Sequence, residues 1–287
     1  MRAWQFSKPK GPGFGIARDY YLTVLASKAT LPPIVVGINP KGEGGGVAGF
    51  GVPLATDAQK VDLARPIVRG QYGLASPDRK TVVRMRVLSK EEAGFDPEPF
   101  LRSPFALQSE PELVARVRAT WTLMQLTFET YDPAVYPALR FFLSLAARFA
   151  DISEGVVADP ISQRYSLPSQ VIAPGQADER IDARDFVQVF DAGGYCFTMG
   201  MRKFVMPEVE LRDVPPHQIG TAKNLLISLA QKSLLGSPVA LGMRIGGKPA
   251  LEVASGGLDR GRWEGIACVE LIPERGASVE QCLANAL

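Results

Sequence analysis

The segment Thr81-Val-Val-Arg-Met-Arg-Val-Leu88 decides how the rest of the chain is interpreted, because its side chains alternate between apolar and charged. Val83, Met85 and Val87 fall on one side of an extended backbone, and the two intervening arginines fall on the other. A period of two is typical of a strand with one buried and one solvent-exposed face. The segment therefore predicts a sheet covered on one side, as antiparallel sheets commonly are.

Strands and helices alternate on both sides of a polar linker at 168–184. Asp132-Pro133 supplies a cap and a first-turn proline for one long helix, and Pro215-Pro216 begins a second helix that ends at Gly236. The predicted fold class is α+β, with a mostly antiparallel sheet and two long helices on one face. The predicted strands are 81–88, 121–129, 156–167, 186–192, 195–206, 209–214, 239–245, 250–254 and 265–272.

The two predicted helices also resemble each other in sequence. Ala138–Ala146 and Ala222–Ala230 have the same spacing of apolar residues, and each helix is preceded by a strand and a proline. The sequence therefore predicts a duplicated α+β domain at 79–287, with ferredoxin-like halves at about 79–167 and 185–275. Chance agreement between two amphipathic helices is the alternative.

Residues 1–78 are rich in glycine and differ from the rest of the chain. Glycine at this density disfavours long helices, so we predict a Gly-rich arm or subdomain of short strands and loops, with a brief helix at Tyr20–Ala26. Few side chains could anchor the loop at 39–53, and ordering it costs about 1–2 kcal/mol per residue. This loop is predicted to be mobile until it docks on another protein or a second copy of the chain. A glycine-lined strand edge packed on its own domain is the alternative.

The composition is that of an ordinary globular protein, with 46% apolar residues, 22% charged residues and a net charge of +2. Because basic and acidic residues are interspersed, a concentrated nucleic-acid-binding face is not expected. The sparse cysteines, Cys196, Cys268 and Cys282, predict reduced thiols rather than a disulfide framework. The sequence begins without the apolar run of a signal peptide, and no stretch approaches the ~20 apolar residues of a membrane span. A cytoplasmic location is expected.

Several catalytic and cofactor motifs are missing from the sequence. His217 is the single histidine, and no G-x-S-x-G elbow accompanies it, so a serine triad is not predicted. The Walker pattern is absent. The G-x-G-x-x-G match at Gly44–Gly49 is followed by Phe50-Gly-Val-Pro53, which does not open a helix. Neither a cofactor nor a metal site is therefore predicted.

A group of charged residues around 202–212 is the most suggestive of chemistry. Glu208 and Glu210 lie two residues apart on a predicted strand, and Glu270 would neighbour them if its strand pairs with theirs. Paired carboxylates in a cleft could act as acid and base on an anionic small substrate held by a basic side chain. A solvated sheet face with alternating charges is the competing interpretation, and the one that we favour. The candidate binding residues are Arg202, Lys203, Glu208, Glu210 and Arg212.

Aromatic residues on the predicted strands raise a third possibility, since an open sheet can stack aromatic side chains on the bases of RNA or single-stranded DNA. Their neighbours alternate with apolar residues, which favours a buried sheet face instead. The residues concerned are Trp121, Phe128, Phe186, Phe190, Tyr195 and Phe197.

One segment carries a family resemblance. Met199-Gly-Met-Arg-Lys-Phe-Val-Met-Pro-Glu-Val-Glu-Leu-Arg-Asp-Val-Pro215, followed by a helix and a strand, resembles a motif of certain uncharacterised bacterial domains of unknown function. The resemblance implies a ferredoxin-like α+β layout over residues 80–275 and a role in interaction or immunity, and it implies no catalytic residues. A non-enzymatic protein–protein interaction protein (an inhibitor, immunity or assembly component) is thus the leading hypothesis. A carboxylate-based enzyme and an RNA- or single-strand-binding protein are the alternatives.

Overall fold

The computed structural model describes residues 16–17, 20–33, 52–53, 65–75, 81–130, 135–171 and 181–286. Strands from both parts of the chain assemble into two antiparallel-rich sheets accompanied by helices, which confirms the predicted α+β class. In chain order the elements are β1 (Tyr21–Ala26), β2 (Val52–Pro53), β3 (Gly70–Ala75), β4 (Thr81–Ser89), α1 (Glu98–Leu101), α2 (Pro104–Gln108), α3 (Pro111–Arg118), β5 (Thr122–Thr130), α4 (Val135–Ile152), β6 (Val156–Asp159), β7 (Arg164–Ser166), β8 (Gln188–Asp191), β9 (Cys196–Met199), β10 (Glu208–Leu211), α5 (Ile219–Leu234), β11 (Arg244–Ile245), β12 (Leu251–Ser255), α6 (Arg260–Trp263), β13 (Cys268–Pro273) and α7 (Val279–Leu283).

The first sheet has the strand order β2-β3-β4-β5-β1-β6-β7, and its neighbouring strands are antiparallel. The alternation predicted for β4 is confirmed, since Val83, Met85 and Val87 are at most 2% exposed while Arg84 and Arg86 lie on the exposed side. The segment that suggested a half-covered sheet therefore forms a strand with one buried face.

Helix α4 confirms the helix predicted after Pro133. Its buried side chains Leu139, Phe142, Ala146 and Phe149 recur at three- and four-residue steps, as expected for a helix that buries one face. The ring of Phe142 meets that of Tyr20 edge-on, with centroids 5.7 Å apart.

Strand β1 corrects two predictions about the N-terminal segment. The sequence predicts a brief helix at Tyr20–Ala26, but residues 21–26 form a strand that pairs with β5 on one side and β6 on the other. A short apolar run fits a buried strand as well as a buried helix, and pairing on both edges favours the strand. The predicted boundary at residue 78 does not hold for this strand, because β1 lies inside the same sheet as β4 and β5. The loop predicted at 39–53 falls outside the described residues, except for Val52–Pro53, which pair with β3.

The second sheet has the order β11-β12-β13-β10-β9-β8. β10 and β13 run parallel, and the other neighbours are antiparallel. One face of this sheet packs against α5 and α7 in an apolar core. Because side chains alternate along a strand, Glu210, Cys268 and Glu270 lie on the opposite face. The core includes Val209, Leu211, Leu251, Val253, Val269 and Leu271 from the strands and Leu225, Leu226, Leu229, Val279 and Leu283 from the helices.

The chain divides into two compact units, one mainly of 18–132 with 136–179 and the other mainly of 180–287. The division near residue 180 falls inside the predicted linker. Helix α4 belongs mainly to the first unit and α5 to the second, so the structure does not confirm the prediction of two long helices on one face of one sheet. Similar apolar spacing arises whenever a helix buries one face, and it does not require a shared sheet.

The element order also differs from the predicted duplication. A ferredoxin-like half has the order β-α-β-β-α-β. The described elements run β4-α1-α2-α3-β5-α4-β6-β7 before the linker and β8-β9-β10-α5-β11-β12-α6-β13 after it. The structure therefore does not confirm ferredoxin-like halves.

Two local predictions in the second unit have different outcomes. The hairpin turn predicted at Asp191–Gly194 is confirmed, because it joins β8 to β9 with Gly193 and Gly194 at φ values of +68° and +89°. The strand predicted at 239–245 is wrong in length, since β11 covers Arg244–Ile245 alone. Within the described ranges, no helix has both the length and the apolar character needed to span a bilayer.

Candidate functional site

The face of the second sheet opposite α5 brings together two carboxylates from neighbouring strands. β10 and β13 pair with Glu210 beside Glu270, so the expectation that Glu270 neighbours the carboxylates of β10 is confirmed. The Glu270 side chain is 13% exposed, whereas Glu210 is completely buried. Arg212 contacts both: its Nη2 is 3.5 Å from Glu210 Oε2, and its Nε is 3.4 Å from Glu270 Oε1.

Glu210 is enclosed by hydrogen-bond donors. Its Oε1 accepts from the backbone N–H of Gly257 at 2.8 Å, and its Oε2 accepts from Trp263 Nε1 at 2.8 Å and from the hydroxyl of Tyr195. The Tyr195 oxygen also lies 2.8 Å from Trp263 Nε1, so two acceptors share the indole N–H. A buried carboxylate is stable only with such partners. Glu210 is therefore the fixed centre of a network rather than an open acid or base.

Two glycines make this enclosure possible. A Cβ added at Gly256 would lie 2.9 Å from Glu210 Oε1 and 2.7 Å from the carbonyl carbon of Val269. Gly257 has a φ of +82°, which favours glycine, and its N–H points at the carboxylate. The loop then leads into α6, where the side chain of Asp259 caps the helix by accepting from the N–H of Arg262.

An aromatic patch surrounds the two carboxylates. The ring of Phe197 meets Trp263 edge-on at 5.7 Å and lies 5.1 Å from the ring of Tyr195. The guanidinium groups of Arg212 and Arg262 lie 4.8 Å and 5.3 Å from the centroid of the Tyr195 ring, within cation–π range. The patch is therefore a mixed arginine–aromatic surface over a buried negative charge.

The predicted burial of the strand aromatics holds in part. Phe186 is completely buried and Phe197 is 4% exposed, which confirms the prediction for both. Trp121 is 58% exposed, so the prediction is wrong there, because this residue precedes β5 and is not one of its inward positions. The side chain of Phe128 lies outside the described part of the structure.

Burial and the carboxylates shift the titration of neighbouring groups. Burial first, and then the hydrogen bond with Glu210, raise the pKa of Tyr195 well above its ordinary value. Burial, followed by the charges of Glu210 and Glu208, likewise raises the pKa of the Cys268 thiol. Tyr195 is therefore a neutral donor near neutral pH, and Cys268 is a thiol rather than a reactive thiolate. All three cysteines are free, as predicted.

Glu270 leads to a prediction about pH. Burial, and then the neighbouring charge of Glu210, raise its pKa, while the charge of Arg212 acts in the opposite direction. A carboxyl whose pKa is higher in the folded than in the unfolded protein stabilises the fold fully when the pH is below its unfolded-state pKa. This contribution is lost as the pH rises through its folded-state pKa. We therefore expect Glu270→Gln to be at least as stable as the wild type at about pH 7 and to lose that advantage below about pH 4.

Urea unfolding of both proteins across this pH range measures the difference directly. A variant that is less stable than the wild type at neutral pH, with the deficit shrinking in acid, would show that the ionised Glu270–Arg212 pair is net stabilising and would contradict the prediction.

Glu208 is also completely buried. Its Oε2 accepts from the hydroxyl of Thr198 at 2.7 Å, and its Oε1 accepts from the backbone N–H groups of Gly200 at 2.8 Å and Arg202 at 3.1 Å. It thereby fixes the 3₁₀ turn at Met201–Phe204 against β10. The favoured interpretation of Glu208 and Glu210 as a solvated sheet face is therefore wrong, because the turn and the loop before α6 supply donors that cover both carboxylates.

The predicted basic side chains do not act as one group, because Arg212 contacts Glu210 and Glu270 whereas Lys203 is bonded elsewhere. Lys203 is completely buried, and its Nζ donates to the carbonyl of Phe186 at 2.5 Å. Arg202 contacts Glu208 through its backbone N–H. The predicted group thus separates into a Glu210–Arg212 cluster, which Glu270 joins, a turn fixed by Glu208, and a buried Lys203.

A groove on the other side of the second sheet was not predicted from the sequence. It has a volume of about 360 Å³ and lies between α5 and the chain at 237–246, which we call the α5–β11 groove. Its floor contains the buried side chains of Leu225, Leu229 and Ile245, and Lys232 lies on its rim. The sequence carried only a weak signal for this groove. The apolar face of α5 continues to the end of the helix, and the strand that follows it, β11, is only two residues long.

Large apolar side chains are exposed on and beside the wall of this groove. Met243, which lines the groove, is 41% exposed, and the nearby Leu235 and Leu241, which do not line it, are 60% and 66% exposed. Scattered apolar residues are common on protein surfaces, but several on one segment beside an apolar groove are typical of an interaction site.

Metal-ligating side chains and the single histidine add no candidate site in the described residues. In no part of the described structure do three or more histidine, cysteine or carboxylate side chains gather as a metal site would require. The largely exposed His217 lies just before α5, and its Nε2 is 3.2 Å from Glu280 Oε1.

No protein-family model, no curated protein and no solved structure matches the chain. The resemblance of residues 199–215 to uncharacterised bacterial domains therefore stays a prediction.

Proposed function

We propose that the protein is a non-enzymatic binding protein and that its α5–β11 groove receives an extended segment of a partner protein. The observation that carries this proposal is an apolar groove at the end of a sheet, lined in part by the exposed side chain of Met243. Edge strands and adjacent helices recur as receptors for extended peptides, since the strand edge supplies backbone groups and the groove receives alternate side chains.

The charge at the rim indicates the kind of segment. Lys232 is exposed and enters no ion pair with any part of the chain that the structure describes. Arg244, also at the rim, already pairs with Glu274 at 2.5 Å. A partner segment that places one or two apolar side chains in the groove and a carboxylate near Lys232 would complement both features.

The Glu210 cluster supports a structural role more than an enzymatic one. Both carboxylates of β10 are completely buried and their oxygens already accept hydrogen bonds, whereas acid–base catalysis needs a group that can reach a substrate proton. The nucleic-acid alternative has little support, because Phe197 is buried and Trp121 lies outside the strand.

Selection of displayed peptides on the full-length protein tests the proposal. We expect enrichment of peptides with apolar residues next to aspartate or glutamate. Their affinity, measured by fluorescence polarisation, should fall about tenfold or more in Met243→Asp, because burying a methionine side chain contributes about 1.5–3 kcal/mol. Lys232→Glu should weaken the same peptides and make the remaining binding less sensitive to salt.

Leu258→Asp is the matched control, since Leu258 is 73% exposed in the same unit and does not line the groove. It should bind the selected peptides as the wild type does. Equal losses in Met243→Asp and Leu258→Asp, or peptides whose binding neither change affects, would contradict the groove as the binding site.

A further inference from the structure

The first sheet carries a row of donor side chains that the peptide groove does not use. In the register of the sheet, Arg86 lies between Gln71 on β3 and Gln125 on β5, and Arg84 lies between Gly73 and Thr127. Two residues along a strand return the side chain to the same face, so both arginines point the same way, about 7 Å apart along β4. The face thus presents two guanidinium groups flanked by amides and a hydroxyl.

Helix α3 covers a neighbouring part of this face and does not line the hollow. Leu123, which shares its face of β5 with Gln125, packs in an apolar cluster with Leu113 and Val117 of α3. Gln125 and Thr127 lie farther along the strand and line a hollow of about 310 Å³ with the two arginines. Gly73 has no side chain to fill the space beside Arg84. The volume is at the lower end of the ~300–1,000 Å³ range of small-molecule sites.

The charge of the hollow is only partly neutralised. Arg84 lies 3.7 Å from Glu129 in a pair whose side chains are 57% and 46% exposed, and such exposed pairs are weak. Arg86 makes no ion pair with any residue in the described ranges. Arginine presents a planar fork of N–H donors that matches carboxylate and phosphate oxygens, and amide or hydroxyl donors beside it add directional contacts.

We propose that this hollow binds a small molecule with two oxyanion groups, phosphate or carboxylate, one on each guanidinium. Two features select a doubly anionic ligand over a single anion: the ~7 Å spacing of the arginines, and the separate neutral donors beside each of them. Tyr72 is the single aromatic residue among the lining, and its hydroxyl donates to the carbonyl of Val68 at 2.8 Å. Single-stranded nucleic acid is held by successive bases stacked on several aromatic side chains, so the lining favours a small molecule over a polynucleotide.

Isothermal titration calorimetry of the full chain at low salt tests this. Tripolyphosphate and succinate are the probes with an oxyanion group at each end, and inorganic phosphate and acetate are their single-group counterparts. We expect saturable binding of one two-ended probe per chain, tighter than its single-group counterpart, and the two series identify which oxyanion is preferred. Arg86→Gln should weaken binding about tenfold or more, and Arg84→Gln should weaken it in the same direction.

Arg102→Gln removes the same charge from an 81% exposed side chain of the same unit that does not line the hollow, and it should leave the affinity unchanged. Circular dichroism confirms that each variant is folded. If Arg102→Gln weakened binding equally, the effect would be explained by net charge alone, and the proposed site would be overturned. The absence of saturable binding for every probe would also overturn it. A single-stranded oligonucleotide that binds more tightly than tripolyphosphate and loses affinity in Arg86→Gln would overturn the small-molecule assignment.

Discussion

Glu210→Ala is expected to destabilise the second unit by about 3–5 kcal/mol, because the change leaves buried donors without their shared acceptor. The indole N–H of Trp263, the hydroxyl of Tyr195 and the N–H of Gly257 all donate to this one carboxylate. Arg212 would in addition lose one of its two acidic neighbours. The loss is larger than the net value of the network, since it includes the desolvation of groups left unpaired.

Glu252→Ala serves as the control for this prediction, because Glu252 is an exposed glutamate on β12 of the same sheet. It should change the free energy of unfolding by no more than about 0.5 kcal/mol. Urea unfolding followed by far-ultraviolet circular dichroism compares the two variants. If both lie within that small range of the wild type, Glu210 is not the centre of a buried network.

Gly200→Ala is expected to cost about 3–5 kcal/mol, through strain and overpacking together. Gly200 has a φ of +129°, and an added Cβ would lie 2.3 Å from the carbonyl oxygen of Phe186. Its N–H donates to Glu208 at 2.8 Å, so a shift of the backbone to relieve the clash would also disturb the buried carboxylate.

Gly193→Ala separates the two causes of that loss. Gly193 also has a positive φ, +68°, but an added Cβ there would have no heavy atom within 4 Å. Its cost should therefore be limited to the left-handed backbone, about 1–2 kcal/mol. Thermal unfolding of both variants gives the comparison, and similar midpoints for the two would contradict the predicted clash at Gly200.

The elements that could be predicted from sequence are those whose pattern is local. β4 alternates over eight residues, and α5 repeats its apolar residues over four turns, so neighbouring positions alone define the buried face. Glu270 could be placed beside Glu210 because both occupy predicted strands, and only their pairing had to be assumed.

The parts that escaped prediction depend on contacts between distant positions. Tyr21–Ala26 is a strand because β5 and β6 flank it, and a six-residue apolar run carries no periodicity that distinguishes a strand from a helix. Trp263 lies 53 positions after Glu210, on a four-residue helix that sequence patterns rarely reveal. The Gly256-Gly257 pair, together with the polar-tipped Tyr195 and Trp263, was the available signal for a close approach to a buried acceptor.

The same reasoning explains why a solvated face was favoured for the β10 carboxylates. Glu208 and Glu210 alternate with Val209 and Leu211, which is the pattern of a half-exposed strand. The donors that bury them come from backbone N–H groups and from side chains on other elements, and composition does not report these. The buried carboxylates therefore mark a structural network, and the partner site that we propose is the groove on the helix-covered side of the sheet, at its edge.

Hydrogen–deuterium exchange of the full chain, with and without a peptide enriched on the wild-type protein, tests the central claim most directly. The account predicts slower exchange at 225–232 and 237–246, the two walls of the α5–β11 groove, and little change in β8 and β9. Met243→Asp should abolish this protection at the same peptide concentration. Protection confined to 188–199, or to the first unit, would contradict the claim that the groove is where this protein binds its partner.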